Sequence, residues 1–325
     1  MNAAVTARAH TNIALVKYWG KANTDLIIPQ TSSLSLTLDQ FYTETTVAFD
    51  EGLTSDHVSV NHQVLTAQQA SKVHNFLNLV RQQSSRTSFA RVTSVNHVPT
   101  AAGLASSASA FAALAGAASR AAGLSLDRTA LSRLARRGSG SATRSIFGGF
   151  VEWHAGHDDL SSYAVPLIEK VDWPIAVVAL ILDPHHKKVS SRQGMQNSVN
   201  TSPYYPAWKQ IVADDLAAIK PAILAQDFTT VGETLESNAM RMHALTLSAW
   251  PPYSYFNGDT LTAMQTVKSL RHEGIECYYT LDAGPNLKIF CEATNVATIR
   301  TRLAQQFGAD NVIVAQPGPG IQFLD

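Results

Sequence analysis

Apolar and polar positions change rhythm several times along the chain. Residues 33–38 (SLSLTL) alternate strictly, which puts Leu34, Leu36 and Leu38 on one face of a strand. Residues 42–49 are rich in Thr, Val and aromatics and predict a second strand. Residues 57–66 predict a hairpin turning at Asn61 and His62. Val73, Phe76, Leu77 and Val80 recur at helical spacing, and residues 89–95 return to strand. A helix made mostly of Ala and Gly follows, reaching about Ala122 with Gly123 as its stop; so small a surface suits close packing. A short helix near residues 128–136, a Gly-rich loop and a strand at 150–153 come next.

Residues 174–182 form a continuous apolar, β-branched run, the mark of a buried strand. Beyond it, three helices are marked by Trp208, Ile211, Val212 and Leu216, by Phe228, Val231, Leu235 and Met242, and by Leu261, Met264, Val267 and Leu270. Two strands around the turn Gly284-Pro285-Asn286, a helix and a final strand close the pattern. Strand, helices, strand, strand, helix, strand is a split βαβ, ferredoxin-like order. The polar stretch after residue 182 divides the chain into expected domains 1–185 and 186–325.

Length and composition bound the function. The chain has 325 residues, 45% hydrophobic and 15% charged, enough apolar mass for two packed cores. Lys+Arg and Asp+Glu are both 25, a balance that argues against a dedicated nucleic-acid or anionic-membrane binder. No apolar run approaches the ~20 residues of a membrane span, and the first ten residues lack a leader's apolar core, so a cytoplasmic protein is expected. Cys277 and Cys291 lack metal spacing and read as reduced and buried.

The candidate chemistry starts at residues 99–111, PTAAGLASSASAF. Gly103 frees the backbone, Ala105, Ser106 and Ser107 leave amides uncovered, and Ser106 is a good helix cap. A helix start of this kind suits either a tightly packed core or a bound phosphate chain. No Gly-Lys-Ser/Thr follows, which excludes a Walker loop.

This stretch resembles the phosphate-binding motif of the GHMP kinase superfamily, and its G-L-A-S-S form resembles the diphosphomevalonate decarboxylase branch. NIALVKYWGK (12–21), PQTSSLSLTL (29–38), RRGSGSATRSIFGGFVEW (136–153), ESNAMRMHAL (236–245) and TLDAGPN (280–286) resemble that family's signatures, in its order. The resemblance implies an α+β GHMP kinase fold: a ribosomal-S5-like N-terminal domain and a ferredoxin-like C-terminal one. It implies ATP and Mg2+, a small-molecule substrate, a homodimer, and decarboxylation of 5-diphosphomevalonate to isopentenyl diphosphate after phosphorylation of its 3-hydroxyl. A phosphomevalonate decarboxylase, a mevalonate 3-kinase of the same fold, or a non-catalytic nucleotide sensor are the alternatives.

The family reaction makes three demands. The nucleotide needs a cradle: Gly103, Leu104, Ala105, Ser106 and Ser107 for the phosphates, with Ser106 near the metal, Ser94 and Asn96 near adenine, and Lys187 near the phosphates. The substrate diphosphate needs a clamp: Tyr18, Lys21, Ser139, Gly140, Ser141, Ser191 and Arg192, with Asn12 at the carboxylate. The 3-hydroxyl needs a base: Asp282, with the cations Lys17 and Arg144 beside it. A turn-initiating aspartate is the plain structural role of Asp282. His185 and His186 lack a third ligand, and His243, Met240 and Met242 read as packing.

Overall fold

The structure, a computed structural model, describes residues 4–97, 106–183 and 189–324, with the Ser106 side chain left out. In chain order it holds β1 (Val5–Val16), β2 (Lys21–Asn23), β3 (Ile28–Pro29), β4 (Ser33–Asp50), β5 (His57–Val60), β6 (Gln63–Val64), α1 (Ala67–Ser84), β7 (Phe89–His97), α2 (Ser106–Ala121), α3 (Arg128–Gly138), β8 (Phe150–Trp153), β9 (Ala164–Ile168) and β10 (Ile175–Leu180). There follow α4 (Ser191–Thr201), α5 (Tyr205–Leu224), α6 (Phe228–Leu247), α7 (Gly258–His272), β11 (Cys277–Leu281), β12 (Leu287–Glu292), α8 (Val296–Phe307), β13 (Val312–Ala315) and β14 (Gln322–Leu324).

An eight-stranded sheet carries the first half in the order β14-β1-β4-β7-β5-β6, with β8 and β9 branching from β4. The two strands expected at 33–38 and 42–49 are one strand, β4, which pairs β8 at its start and β7 along its second half. The hairpin at Asn61-His62 forms with both residues at positive φ. Gly123, at φ +83°, ends α2 as its position predicts. Alanines at 108, 112, 113, 115, 117 and 118 are fully buried, because α2 lies close over β1 and β4.

Four strands in the order β11-β12-β10-β13, all antiparallel, make the second sheet. This order is that of a ferredoxin-like βαββαβ unit, as the pattern predicts. One face carries Val177, Ala179, Tyr278 and Phe290 toward α5, α6 and the leucines of β4; the other carries Val178, Leu281 and Ile289 toward α7 and α8. Helices α5 and α6 thus fill the space between the sheets and bury residues against both.

The change of sheet falls between β9 and β10, ahead of the division expected at 185/186. The strand at 175–180 pairs with β12 and β13, so it belongs wholly to the second sheet. The reason is pairing: a strand buried on both faces needs two neighbours, and β10 finds them downstream. The chain later returns to the first sheet. Gly318 accepts from Gly149 N–H and donates to Thr37 O, Ile321 donates to Ile146 O, and β14 pairs β1.

Candidate active site

Lys17 is the first residue beyond β1, and its position is fixed at both ends. Its backbone N–H donates to Asn238 Oδ1 on α6 at 2.8 Å. Its Nζ donates to Ala14 O and to Asp282 Oδ1, each at 2.8 Å. Asn238 is held in turn by Asp215 of α5, which also pairs Arg241. A lysine 2% exposed in this way has its pKa pulled down to about 8: burial is the larger cause, and Asp282 opposes it.

Asp282 follows β11 at the turn that β12 leaves. Lys288 Nζ, on β12, lies 3.2 Å from its Oδ2. Burial alone would raise this carboxyl, but the ammonium groups of Lys17 and Lys288 prevail and hold it well below the usual carboxylate range. Its side chain is 23% exposed where both lysines are 2% exposed, so the carboxylate is the open member of the trio.

Arg144 completes the cluster from a 3-10 turn, Gly140–Ile146, where the sequence predicts a loop. The turn is helical because Thr143 Oγ1 donates to Gly140 O and the local N–H groups close short rings. Arg144 donates to Ser35 Oγ at 2.9 Å, to Ser33 Oγ, and to Asn12 Oδ1 at 3.3 Å. Burial pulls its pKa down to about 10, with Asp282 opposing. Lys17, Lys288 and Arg144 set three cations against one carboxylate, an environment suited to an anionic ligand.

The predicted clamp residues fall into two groups, one on the 3-10 turn with Tyr18 and one around a cavity with Lys21 and Arg192. Ser139 Oγ lies 3.3 Å from both Ser141 Oγ and Ser107 Oγ, so the clamp turn touches the first turn of α2. A Cβ on Gly140 would stand 2.8 Å from the Tyr18 ring, so any larger residue there requires the ring or the turn to shift. Tyr18 packs edge-on against Trp153, and its buried hydroxyl has no hydrogen-bond partner among the described residues. Lys21 and Arg192 line a cavity of about 1030 Å³ with Ser190, Gln193, Asn197 and Tyr253. Burial, then Arg192 and Lys72, lower the pKa of Lys21. Ser191 opens α4, the helix that Ser190 caps through Gln193 N–H.

Other expected residues are committed to the protein itself. Asn12 Nδ2 donates to Ser141 O and Ser145 Oγ while its Oδ1 holds Arg144, so its amide positions the guanidinium. Ser94 Oγ is within 2.8 Å of Thr45 Oγ1. Asn96 accepts from Thr43 Oγ1, which also meets Ser109 of α2, a polar line from β7 to the start of the helix. Gly103, Leu104, Ala105, Lys187 and the His185-His186 pair lie outside the described residues, as does the side chain of Ser106, although α2 starts at that residue.

The first turn of α2 carries Ser107 with small neighbours, a fit for nucleotide phosphates. Among the described residues no three His, Cys, Asp or Glu side chains gather to hold a metal. His243 is buried against Phe256, and Lys17 and Lys288 add to burial in pulling its pKa down to about 3. Met242 is in the core between the sheets, and Met240 packs against the separate cluster that holds Val178, Leu281 and Ile289. Cys277 and Cys291 are cross-strand partners, both free and buried. Among the described residues no helix is long and apolar enough to cross a membrane.

Sequence reasoning passes over Lys288, Asn238, Ser33 and Ser35. A signal for Lys288 is present: in NLKIFCE, alternation places a lysine on the same face as Phe290, in the middle of an apolar strand. A charge there needs a buried partner.

The comparisons with known proteins cover the chain. The Diphosphomevalonate decarboxylase-like N-terminal domain matches residues 9–164, and the Mevalonate 5-diphosphate decarboxylase C-terminal domain matches residues 177–317. The Homo sapiens diphosphomevalonate decarboxylase is 37% identical over 91% of this chain and 78% of its own. The Candida albicans enzyme is 34% identical over 94% and 89%. A solved structure of MDDEF in complex with MVAPP, AMPPCP and magnesium is 50% identical, with a TM-score of 0.95 over 99% of both chains. Mevalonate diphosphate decarboxylase from Staphylococcus aureus is 44% identical, with a TM-score of 0.95 over 99% of this chain and 98% of that one. With its GHMP kinase fold and matches to both domains, the chain belongs to the diphosphomevalonate decarboxylase family.

Proposed function

We propose that this protein decarboxylates (R)-5-diphosphomevalonate to isopentenyl diphosphate, with ATP converted to ADP and phosphate. One observation carries the reading: Asp282 is ionised and partly open, between Lys17 and Lys288, with Arg144 near it. Hydroxide is a poor leaving group and phosphate a good one, so the tertiary 3-hydroxyl must first be phosphorylated. Asp282 accepts or orients the hydroxyl proton. A carboxylate of such low basicity takes the proton late, as the new P–O bond forms. Arg144 and Lys17 then face the substrate carboxylate and the departing phosphate. As that phosphate leaves with its bonding pair, the electrons of the C–CO2 bond close the new double bond.

The terminal diphosphate is assigned to Tyr18, Lys21, Ser139, Gly140, Ser141, Ser191 and Arg192. The Tyr18 hydroxyl, without a partner among the described residues, and the cavity beside Lys21 and Arg192 support this. The nucleotide is assigned to residues 103–107 with Ser94, Asn96 and Lys187, and Mg2+, with Ser106 near it, supplies charge neutralisation between the phosphates. The relative solved with MVAPP, AMPPCP and magnesium supports the ligand set. A cytoplasmic homodimer completes the proposal, the buried free thiols fitting a reducing compartment. We place the domain division in the 169–174 link, on the sheet membership of β10.

Incubation with ATP and, separately, the mono- and diphosphate of mevalonate tests the reading. Equal release of ADP and CO2 from the diphosphate is expected. ADP without CO2 would select a 3-kinase, and preference for the monophosphate would select a phosphomevalonate decarboxylase.

A further inference from the structure

We propose that Lys288 is a positioning residue, acting through Asp282: it holds the second carboxylate oxygen while Lys17 holds the first. The inference rests on the reading of Asp282 given above. Lys17 Nζ is 2.8 Å from Oδ1 and Lys288 Nζ is 3.2 Å from Oδ2. Rotation of the carboxylate about its terminal torsion would break one contact or both, so its plane is fixed. Lys288 is only 2% exposed and its Nζ also reaches Asn286 O, within the turn that follows Asp282. The lysine therefore fixes the Asp282 side chain and the neighbouring turn together. It sits on the face of β12 that carries Phe290 into the inter-sheet core, where an unpaired ammonium would be heavily penalised, and Asp282 is its ion-pair partner among the described residues. The other charged or titratable groups that bear on Asp282 come from separate elements: Lys17 after β1, Arg144 from the 3-10 turn, and His243, held neutral, from α6.

A double-mutant cycle tests this with full-length protein, ATP and diphosphomevalonate. Methionine fills similar volume, so Lys288→Met is expected to fold, and Lys288→Gln carries the same comparison if it does not. In Lys288→Met, kcat is expected to fall about tenfold while KM for both substrates stays within about threefold. In an Asp282→Asn background the same change should alter the residual single-turnover rate by less than about twofold, because the group it acts through is gone. Lys288→Arg, which keeps a cation for Oδ2, should retain more activity than Lys288→Met. Parental kcat in Lys288→Met, or an equal penalty in both backgrounds, would overturn the assignment. A parent protein releasing neither ADP nor CO2 would overturn the functional reading as well; an active parent without coupling sinks Lys288 alone.

Discussion

Lys17 and Asp282 are 265 positions apart in the chain, yet Nζ and Oδ1 meet at 2.8 Å. The contact ties the end of β1 in one sheet to the end of β11 in the other, so the reactive carboxylate exists only where both sheets are in place. Truncating Asp282 leaves two buried ammonium groups without their carboxylate, and truncating Lys17 leaves Lys288 as the one ion-pair partner of Asp282 among the described residues.

Asp282→Asn keeps the shape of the site and removes the proton acceptor. It should bind both ligands with near-parental affinity and lose turnover by about 10²–10⁴-fold, the range of general-base contributions. Isothermal titration with a non-hydrolysable nucleotide, beside CO2 release, checks both halves. Near-parental turnover would refute the assigned role.

The pKa of about 8 at Lys17 has a defined sign for activity. Below that pH the ammonium is present to neutralise anionic groups; above it the charge is lost. The value of kcat/KM for diphosphomevalonate should therefore decline as pH rises through about 8. Lys17→Arg should lower the rate yet remove the decline, since guanidinium keeps its proton throughout. An unchanged alkaline limb in that variant would assign the titration to another group.

Gly140→Ala places a methyl group 2.8 Å from the Tyr18 ring. Relief requires Tyr18 to shift against Trp153 or the 3-10 turn to move outward, carrying Ser139 and Ser141 with it. We expect a stability loss of about 1–3 kcal/mol by denaturant titration, typical of overpacking. KM for diphosphomevalonate should rise more than KM for ATP. A variant with parental stability and kinetics would show that the turn yields freely.

Arg192→Ala removes a planar double donor from the cavity it shares with Lys21. Steady-state kinetics should show KM for diphosphomevalonate raised at least about tenfold, with KM for ATP changed far less. Equal effects on both constants would contradict its place in the diphosphate clamp.

Much of this was legible in the sequence, for identifiable reasons. Alternation at Leu34, Leu36 and Leu38 shows because Ser33, Ser35 and Thr37 form the opposite, equally buried face, while helical spacing at Val73, Phe76, Leu77 and Val80 shows because α1 turns one face to the core. The ferredoxin-like strand order follows from the second half's apolar rhythm. The long β1 was not legible as one strand: from Ala9 to Val16 it is buried on both faces, which erases alternation. Bulges in its pairing with β4 near Asn12 and before Val16 add to the irregularity, and such bulges re-aim side chains beside functional sites. The motif residues Lys17, Arg144 and Asp282 were recoverable, and their convergence was expected only through the resemblance, since no local pattern encodes contacts between sheets. Lys288, Ser33 and Ser35 were missed because single polar residues in apolar strands carry their meaning only through distant partners.

The return of residues 316–324 to the first sheet has a consequence for biosynthesis. Gly318, Ile321 and β14 attach beside Thr37, Ile146 and β1, all of them made before the strands of the second sheet. A nascent chain must hold that edge of β1 open while every helix and strand of the second sheet emerges. Docking of this segment therefore waits on synthesis of the second sheet, and a ribosome-bound intermediate lacking it presents a bare template to chaperones or to the wrong strand.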